Sequence, residues 1–355
     1  MLRRRSAPLA LALALALAAL LLASLRFGST RAVDELSAAW RGIGALLGLA
    51  DPLPGAAQTI VELRLWRGLT AAGVGAALGL SGALVQGIFR NGLASPGILG
   101  ISGGASLGAV LAVLLAGGYG LGLQLAEPQG AGPWLVPVAA FLGALGTAFL
   151  VYRLASSHGR VSVPGLLLVG IAVNTLLAGL QQLAQNLVLG DLEASRAILA
   201  WTFGTLDDRA GWHAAVAWGG AALALLAWPL VAWELDLVAS GHDDAAALGV
   251  DVARVRILTL GAAALAAAAA VAVAGQIGFV GLVVPHLVRL LAGPGHRTLL
   301  PLAALAGAVV LLGADVAQTA LFPGAGVQPG VVMALVGGPF FVWLLWRKRR
   351  EIAVW

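Results

Sequence analysis

The chain is 355 residues long, 60% apolar and only 10% charged, with a mean hydropathy of +0.95. A soluble domain carries about 25% charged residues, so this chain has too few solvated groups to cover a water-facing surface, and most of that surface must face lipid. The net charge of +5 does not point to nucleic acid, because the basic residues sit scattered at the ends of apolar runs and form no patch.

A hydrocarbon core of about 30 Å is crossed by about 20 apolar residues in a helix. Ten such runs follow one another, at 7–26, 64–87, 98–117, 134–154, 165–188, 212–233, 254–274, 278–293, 299–322 and 327–347. They predict an all-α, polytopic membrane protein forming a single transmembrane domain over residues 1–355. The first run follows Arg3, Arg4 and Arg5, as a secretory signal would, but it is longer than a signal core and lacks a small-x-small cleavage site, so it reads as a retained helix. The eighth run is short, and residues 275–286 predict a broken or re-entrant piece. The 49 glycines suit helices that approach closely in lipid.

Placing the N-terminus inside and alternating ten helices puts fourteen Lys and Arg residues inside and seven outside. The excess of positive charge on the cytoplasmic side then places both termini in the cytoplasm. Residues 27–63 fall outside and predict short interfacial helices. Residues 234–253 fall inside yet are acidic, with Glu234, Asp236, Asp243, Asp244 and Asp251. An inside loop against the usual bias suggests a docking surface, although a solvated loop has the same composition. The stretches Gln86-Gly-Ile-Phe and Gln276-Ile-Gly-Phe follow oppositely directed runs, a weak echo of inverted repeats.

Enzyme motifs are missing: there is no His-Glu-x-x-His, no Gly-x-Ser-x-Gly and no paired carboxylate within a run. The absence of cysteine excludes a thiolate metal site and a cysteine nucleophile. Asp315 is the one acid well inside a run, whereas ion-driven transporters place several ionisable groups at mid-membrane. A phosphate-binding Gly-x-x-x-x-Gly-Lys-[Ser/Thr] loop cannot form, because Lys348 is the sole lysine. If ATP drives this protein, another chain must bind it.

Several motifs carry a resemblance. Arg64-Leu-Trp-Arg67, Leu80-Ser-Gly-Ala-Leu-Val-Gln86 and Arg90-Asn-Gly-Leu-Ala-Ser-Pro-Gly-Ile-Leu-Gly100 are followed by Trp201-Thr-Phe-Gly204, Trp212 and Leu235-Asp-Leu. Ala247-Leu-Gly-Val250, Gly275-Gln-Ile-Gly-Phe-Val-Gly-Leu-Val-Val-Pro-His286 and Gly337-Gly-Pro-Phe-Phe341 complete the series. In this order the set resembles the FecCD-type permeases, the transmembrane subunits of type II ATP-binding-cassette importers for iron-siderophores, haem and cobalamin. The resemblance spans about residues 60–345.

The resemblance implies a transport subunit without enzymatic activity or cofactor of its own. Its expected partners are a second copy of itself, two cytoplasmic ATPase subunits, a periplasmic or lipid-anchored binding protein and the lipid of a bacterial plasma membrane. It implies that Asn91 and Leu93, with Ser162, Val163 and Pro164, narrow a pathway between two subunits. An Asx turn at Asn91 is an equally open reading of that residue. It also implies that Ser240, Gly241, His242, Asp243, Asp244, Ala245, Ala246, Leu248 and Gly249 form a short coupling helix for the ATPase, led by Ser240 or His242. Arg64 and Arg67 are implied to reach the outer surface and anchor the binding protein; the other reading has them snorkel to lipid headgroups.

The chain departs from the family pattern in two places. Gly92 replaces a proline, and the arginine and glutamate expected near Gln318 and Gly326 are both missing, which puts one binding-protein contact in doubt. His286 suggests a haem ligand, but a structural hydrogen bond at a helix break explains it better; His296 is expected in solvent. An iron(III)-siderophore is the leading cargo, with cobalamin or haem as alternatives. An ion-coupled secondary transporter and a non-transporting membrane scaffold are the readings of other classes.

Overall fold

A computed structural model describes residues 3–27, 36–115, 132–157, 160–161, 163–187, 198 and 201–352. Helices α1 (Arg3–Arg26), α2 (Leu36–Leu46), α3 (Ala57–Ile88), α4 (Ile101–Leu115), α5 (Gly132–Ala155) and α6 (Val163–Leu187) come first. They are followed by α7 (Gly211–Leu225), α8 (Trp228–Val238), α9 (His242–Ala247), α10 (Val252–Ala274), α11 (Val280–Ala292), α12 (His296–Leu321) and α13 (Pro329–Ile352). The only strands among the described residues are β1 (Ser156–Ser157) and β2 (Arg160–Val161), a two-residue antiparallel pairing with Ser156 opposite Val161.

Seven of these helices are long and apolar enough to cross a membrane. The bent pair α7–α8 makes an eighth, and α4 and α11 are shorter apolar helices. All ten predicted runs therefore correspond to helices. The bend of 56° between α7 and α8 falls at Ala227, where Pro229 at the start of α8 has no N–H to continue the hydrogen-bond ladder.

Helix α3 is the axis of the bundle. Within its apolar span 94% of the residues are buried, against 22% for α6 and for α13. A helix apolar on every side has no solvent face to prefer and is buried all round. It packs most extensively on α12, α10 and α7. Its closest approach is backbone to backbone: a Cβ on Gly75 would lie 2.2 Å from the Gly307 carbonyl oxygen, and one on Gly82 would lie 1.8 Å from that of Gly281. In lipid this contact supplies the dispersion that holds helices together.

Two expectations change. Helix α3 begins at Ala57, seven residues before the predicted run. Its polar first turns are satisfied locally: the Gln58 amide donates to the Gly42 carbonyl (3.1 Å) and accepts from the Leu53 N–H (3.3 Å), and Trp66 Nε1 donates to Glu62 (3.3 Å). Helix α2 is the short helix expected in the segment 27–63. The predicted break lies at 275–279, with Gly275 at φ +70° and Phe279 at φ +65°. Its open backbone is paired with the 201–205 turn, through Gln276 N to the Trp201 carbonyl (3.1 Å) and Thr205 N to the Ala274 carbonyl (2.8 Å). Irregular backbone at membrane depth needs such partners, since lipid offers none. His286 lies within α11, beyond the break, edge-on to Phe340 at 6.3 Å between ring centroids.

Candidate functional site

Function-bearing residues gather at the two ends of the bundle. At one end, Arg67 on α3 makes a fork onto Asp315 of α12. Its Nε donates to Oδ2 at 3.0 Å and its Nη2 to Oδ1 at 2.8 Å. Its Nη1 donates to Asp207, and Gln318 Nε2 donates to Asp315 Oδ1 at 3.0 Å. The Asp315 side chain is 3% exposed and that of Asp207 is 60% exposed. The Asp315 carboxylate is thus paired with a cation from a different helix, and Gln318 adds an N–H.

Arg64 differs from expectation. Its side chain does not stand free at the surface; the residue is 6% exposed, and Nη1 donates to the carbonyls of Leu25 (2.8 Å) and Arg26 (3.2 Å). Those are carbonyls of the last turn of α1, left without intrahelical partners. Arg64, Arg67, Asp207, Asp208, Gln318 and Phe322 line an open cavity of about 470 Å³ at this end. Asp207 had no sequence signal; only the fold brings it to Arg67.

At the opposite end, α3 stops at Ile88, and Arg90 just beyond it takes φ +52°. Asn91 Oδ1 accepts from the Leu93 N–H at 2.9 Å, and the Asn91 carbonyl accepts from Ala94 N at 3.1 Å, so the Asx turn forms. Asn91 and Leu93 are half-buried. Asn174 on α6 donates to the Gly97 carbonyl at 3.0 Å, which ties α6 to the segment following this loop. Ser162 lies outside the described residues, as does the side chain of Val163; Pro164 is exposed in the first turn of α6.

The same end carries α9, set between Gly241 (φ +152°) and Gly249 (φ +88°). Gly241, not Ser240 or His242, is the N-cap residue. Ser240, Asp243, Asp244, Ala246, Leu248 and Gly249 are exposed, Leu248 at 67%, while Ala245 is wholly buried. His242 is half-buried. Its imidazole is held below the ordinary value by burial first and then by the charges of Arg256 and Arg90, with Asp243 opposing them.

His296 is not in solvent. It is 5% exposed at the start of α12 and bonded to Asp236 of α8. The local sequence Gly293-Pro-Gly-His-Arg297 looks like a solvated turn, and only the packing of α8 covers it.

The sequence matches the FecCD transport family over residues 11–347. The chain belongs to that family. It is 40% identical over 336 residues to the cobalamin import system permease protein BtuC of Halobacterium salinarum, covering 91% of this chain and 84% of that one. It is 38% identical to the hemin transport system permease protein HmuU of Yersinia pestis (82% of this chain, 84% of that one). Against the iron-uptake system permease protein FeuC of Bacillus subtilis the identity is 34% (84% and 87%). A solved structure described as an inward-facing conformation of a metal-chelate type ABC transporter superposes with a TM-score of 0.77. Its identity is 29%, and the match covers 96% of this chain and 99% of that one. The protein is therefore a multi-pass, all-helical transport permease with the fold of that transporter.

Proposed function

We propose that this FecCD permease is the transmembrane subunit of an ATP-driven importer for a metal chelate. It works as a homodimer with two ATPase subunits at the Arg90 end and a binding protein at the Arg67 end. The observation that carries the reading is α9. A six-residue acidic helix, isolated between two glycines, is seated by the buried Ala245 and presents Asp243, Asp244, Ala246 and Leu248 outward, uncovered among the described residues. A chain that lacks its own phosphate loop needs such a contact to receive the work of ATP hydrolysis. The distribution of Lys and Arg supports a cytoplasmic Arg90 end, and the membrane we propose is a bacterial plasma membrane.

The loop at Asn91 and Leu93, with 162–164, is proposed as the narrow point of the pathway. The outer mouth shaped by Arg64 and Arg67 is proposed as the platform for the binding protein. A further cavity of about 400 Å³ lies between Thr202, Gln276, Gly330 and Leu335, with no ionisable side chain in its wall. A wall of this kind lets a bulky solute pass without fixing it by charge.

An iron(III)-siderophore is the first cargo we propose. Cobalamin is the second reading, favoured by the 40% identity to a cobalamin permease across 91% of the chain. The test is uptake into proteoliposomes holding the permease, its ATPase and its binding protein. Labelled ferric siderophore, cyanocobalamin and hemin are compared, with ATP and with an ionophore. ATP-dependent, ionophore-insensitive uptake of one chelate supports the reading; uptake driven by an ion gradient without ATP refutes it.

A further inference from the structure

Three elements that are far apart in the chain meet at the imidazole of His296. Asp236 lies near the end of α8, six residues before His242. Its Oδ1 accepts from the His296 backbone N–H at 2.8 Å and from Nδ1 at 2.6 Å. A carboxylate can only accept, so Nδ1 carries the proton and the one carboxylate fixes both the first turn of α12 and the ring on it. The other ring nitrogen, Nε2, is buried and has no hydrogen-bond partner among the described residues. It faces Gly87 in the last turn of α3, where an added Cβ would stand only 2.6 Å from it. Gly87 lies four residues before Asn91.

Helix α8 also packs on α9, α10 and α3. Its most extensive contacts are with α12. Two more of its side chains hold residue 297: Trp228 Nε1 donates to the Arg297 carbonyl at 3.1 Å, and the Arg297 guanidinium lies over the Trp233 ring at 5.2 Å. From α8 the chain passes through Ser240 and Gly241 directly into α9. From Gly87 it passes through the left-handed Arg90 into the Asn91 turn. The imidazole is therefore wedged between the stem of the α9 loop and the stem of the 89–95 loop.

We propose that His296, gripped by Asp236, is the positioning residue through which displacement of the α9 loop reaches the loop of Asn91 and Leu93. This rests on the importer reading, in which the ATPase moves α9 and the Asn91 loop bounds the pathway. A residue held to one carboxylate through both its backbone N–H and its ring, with the ring packed on a glycine on the other side, has no rotamer to absorb a shift. Close-packed contacts of this kind pass small displacements on and do not dissipate them. The missing side chain at Gly87 is what lets the ring touch the α3 backbone.

The native chain has no cysteine, so a single Leu93→Cys reports on the loop. The permease–ATPase complex carrying it is reconstituted in nanodiscs, and its rate of maleimide labelling is compared without nucleotide and with ATP trapped by vanadate. In the otherwise native background the two rates should differ by about fivefold or more, the usual lower range of coupling between sites. Asp236→Leu and His296→Ala should retain ATP hydrolysis yet bring the two rates within about twofold of each other, below that coupling range. Asp236→Asn, whose amide oxygen still accepts both hydrogen bonds, should restore the difference. A merely structural clamp would instead lower thermal stability and hydrolysis while leaving the response intact. Should His296→Ala fail to assemble, Asp236→Leu decides, since the Asp236 side chain is 34% exposed and tolerates replacement. A native response that persists in Asp236→Leu overturns the proposal alone; a native background without any nucleotide response overturns the importer reading and the proposal together.

Discussion

Replacing Arg67 by Met removes a fork whose two shortest nitrogen–oxygen contacts with Asp315 measure 2.8 Å and 3.0 Å. Asp315, 3% exposed, is then left with Gln318 as its remaining side-chain donor. Breaking a buried pair by removing one partner costs about 3–5 kcal/mol, because the other charge stays buried without compensation. Removing both, in Arg67→Met/Asp315→Leu, should come within about 1 kcal/mol of the native protein or exceed it, since well-packed apolar replacements of buried pairs are often neutral or stabilising. Asp207→Asn should cost only about 0.2–1 kcal/mol, as its carboxylate is 60% exposed and screened. Unfolding in mixed micelles, followed by tryptophan fluorescence, measures these proteins, and Asp315→Leu alone supplies the second single variant that closes the double-mutant cycle. The reasoning is refuted if Arg67→Met lies within about 1 kcal/mol of the native protein, or if the double variant is as unstable as the sum of the singles. The same geometry warns against charge reversal as a docking assay, because Arg67→Glu would face two aspartates and disturb the fold first.

Binding-protein docking at the Arg67 end should weaken with rising salt, and at low salt Arg67→Lys, which keeps the charge but loses the fork, should weaken docking less than Arg67→Gln does; equal losses by surface plasmon resonance would remove this charge from the docking surface. Ala246→Arg and Leu248→Glu should separate ATP hydrolysis from uptake while the permease stays folded, and unimpaired uptake in both would discard α9 as the coupling contact. Leu93→Cys should form a disulfide across the homodimer in at least one nucleotide state, and its absence in every state from an intact dimer counts against the narrow point. His242 resists protonation in the fold more than in the unfolded chain, so stability should fall as pH drops below about 6.5. His242→Gln should flatten that loss when unfolding is compared at about pH 7.5 and about pH 5.5; an identical loss in the variant would refute the assignment.

The ten apolar runs were legible because lipid asks much the same composition of every segment that enters it. The break at 275–279 was legible because glycines interrupt an apolar run. The beginning of α3 was not: Gln58 and Glu62 look like the end of an aqueous segment, and only their partners, Gly42 on α2 and Trp66 on α3 itself, satisfy them within the helix. Arg64 shows the limit most clearly. Its place in a recognisable motif pointed to a surface contact, whereas its side chain caps the carbonyls of Leu25 and Arg26 some forty positions earlier in the chain. The short helix α9 was legible from acidity between two glycines, but which alanine is buried there was not, because a six-residue helix has too few turns to display a periodicity. His296 was misplaced for a related reason, as a Gly-Pro-Gly turn carries no trace of the helix that will cover it.

Charge is distributed in this protein so that each end of the central helix is fastened differently. At the Arg67 end α3 and α12 are joined by a buried ion pair, which holds only while both members are present. At the Arg90 end the same two helices meet through an imidazole against a glycine, with the fixing charge supplied from α8. Between the ends, Gly75 and Gly307 bring the backbones into contact, so the pair behaves as one rod. By contrast α6 and α13, with 22% of their spans buried, retain the free apolar faces of the bundle. Those faces must meet lipid or a second copy of the chain, because no described helix covers them. A rigid rod joining two loop clusters, flanked by helices with uncommitted faces, is the construction expected of a subunit that transmits force along its centre and opens a path at its edge.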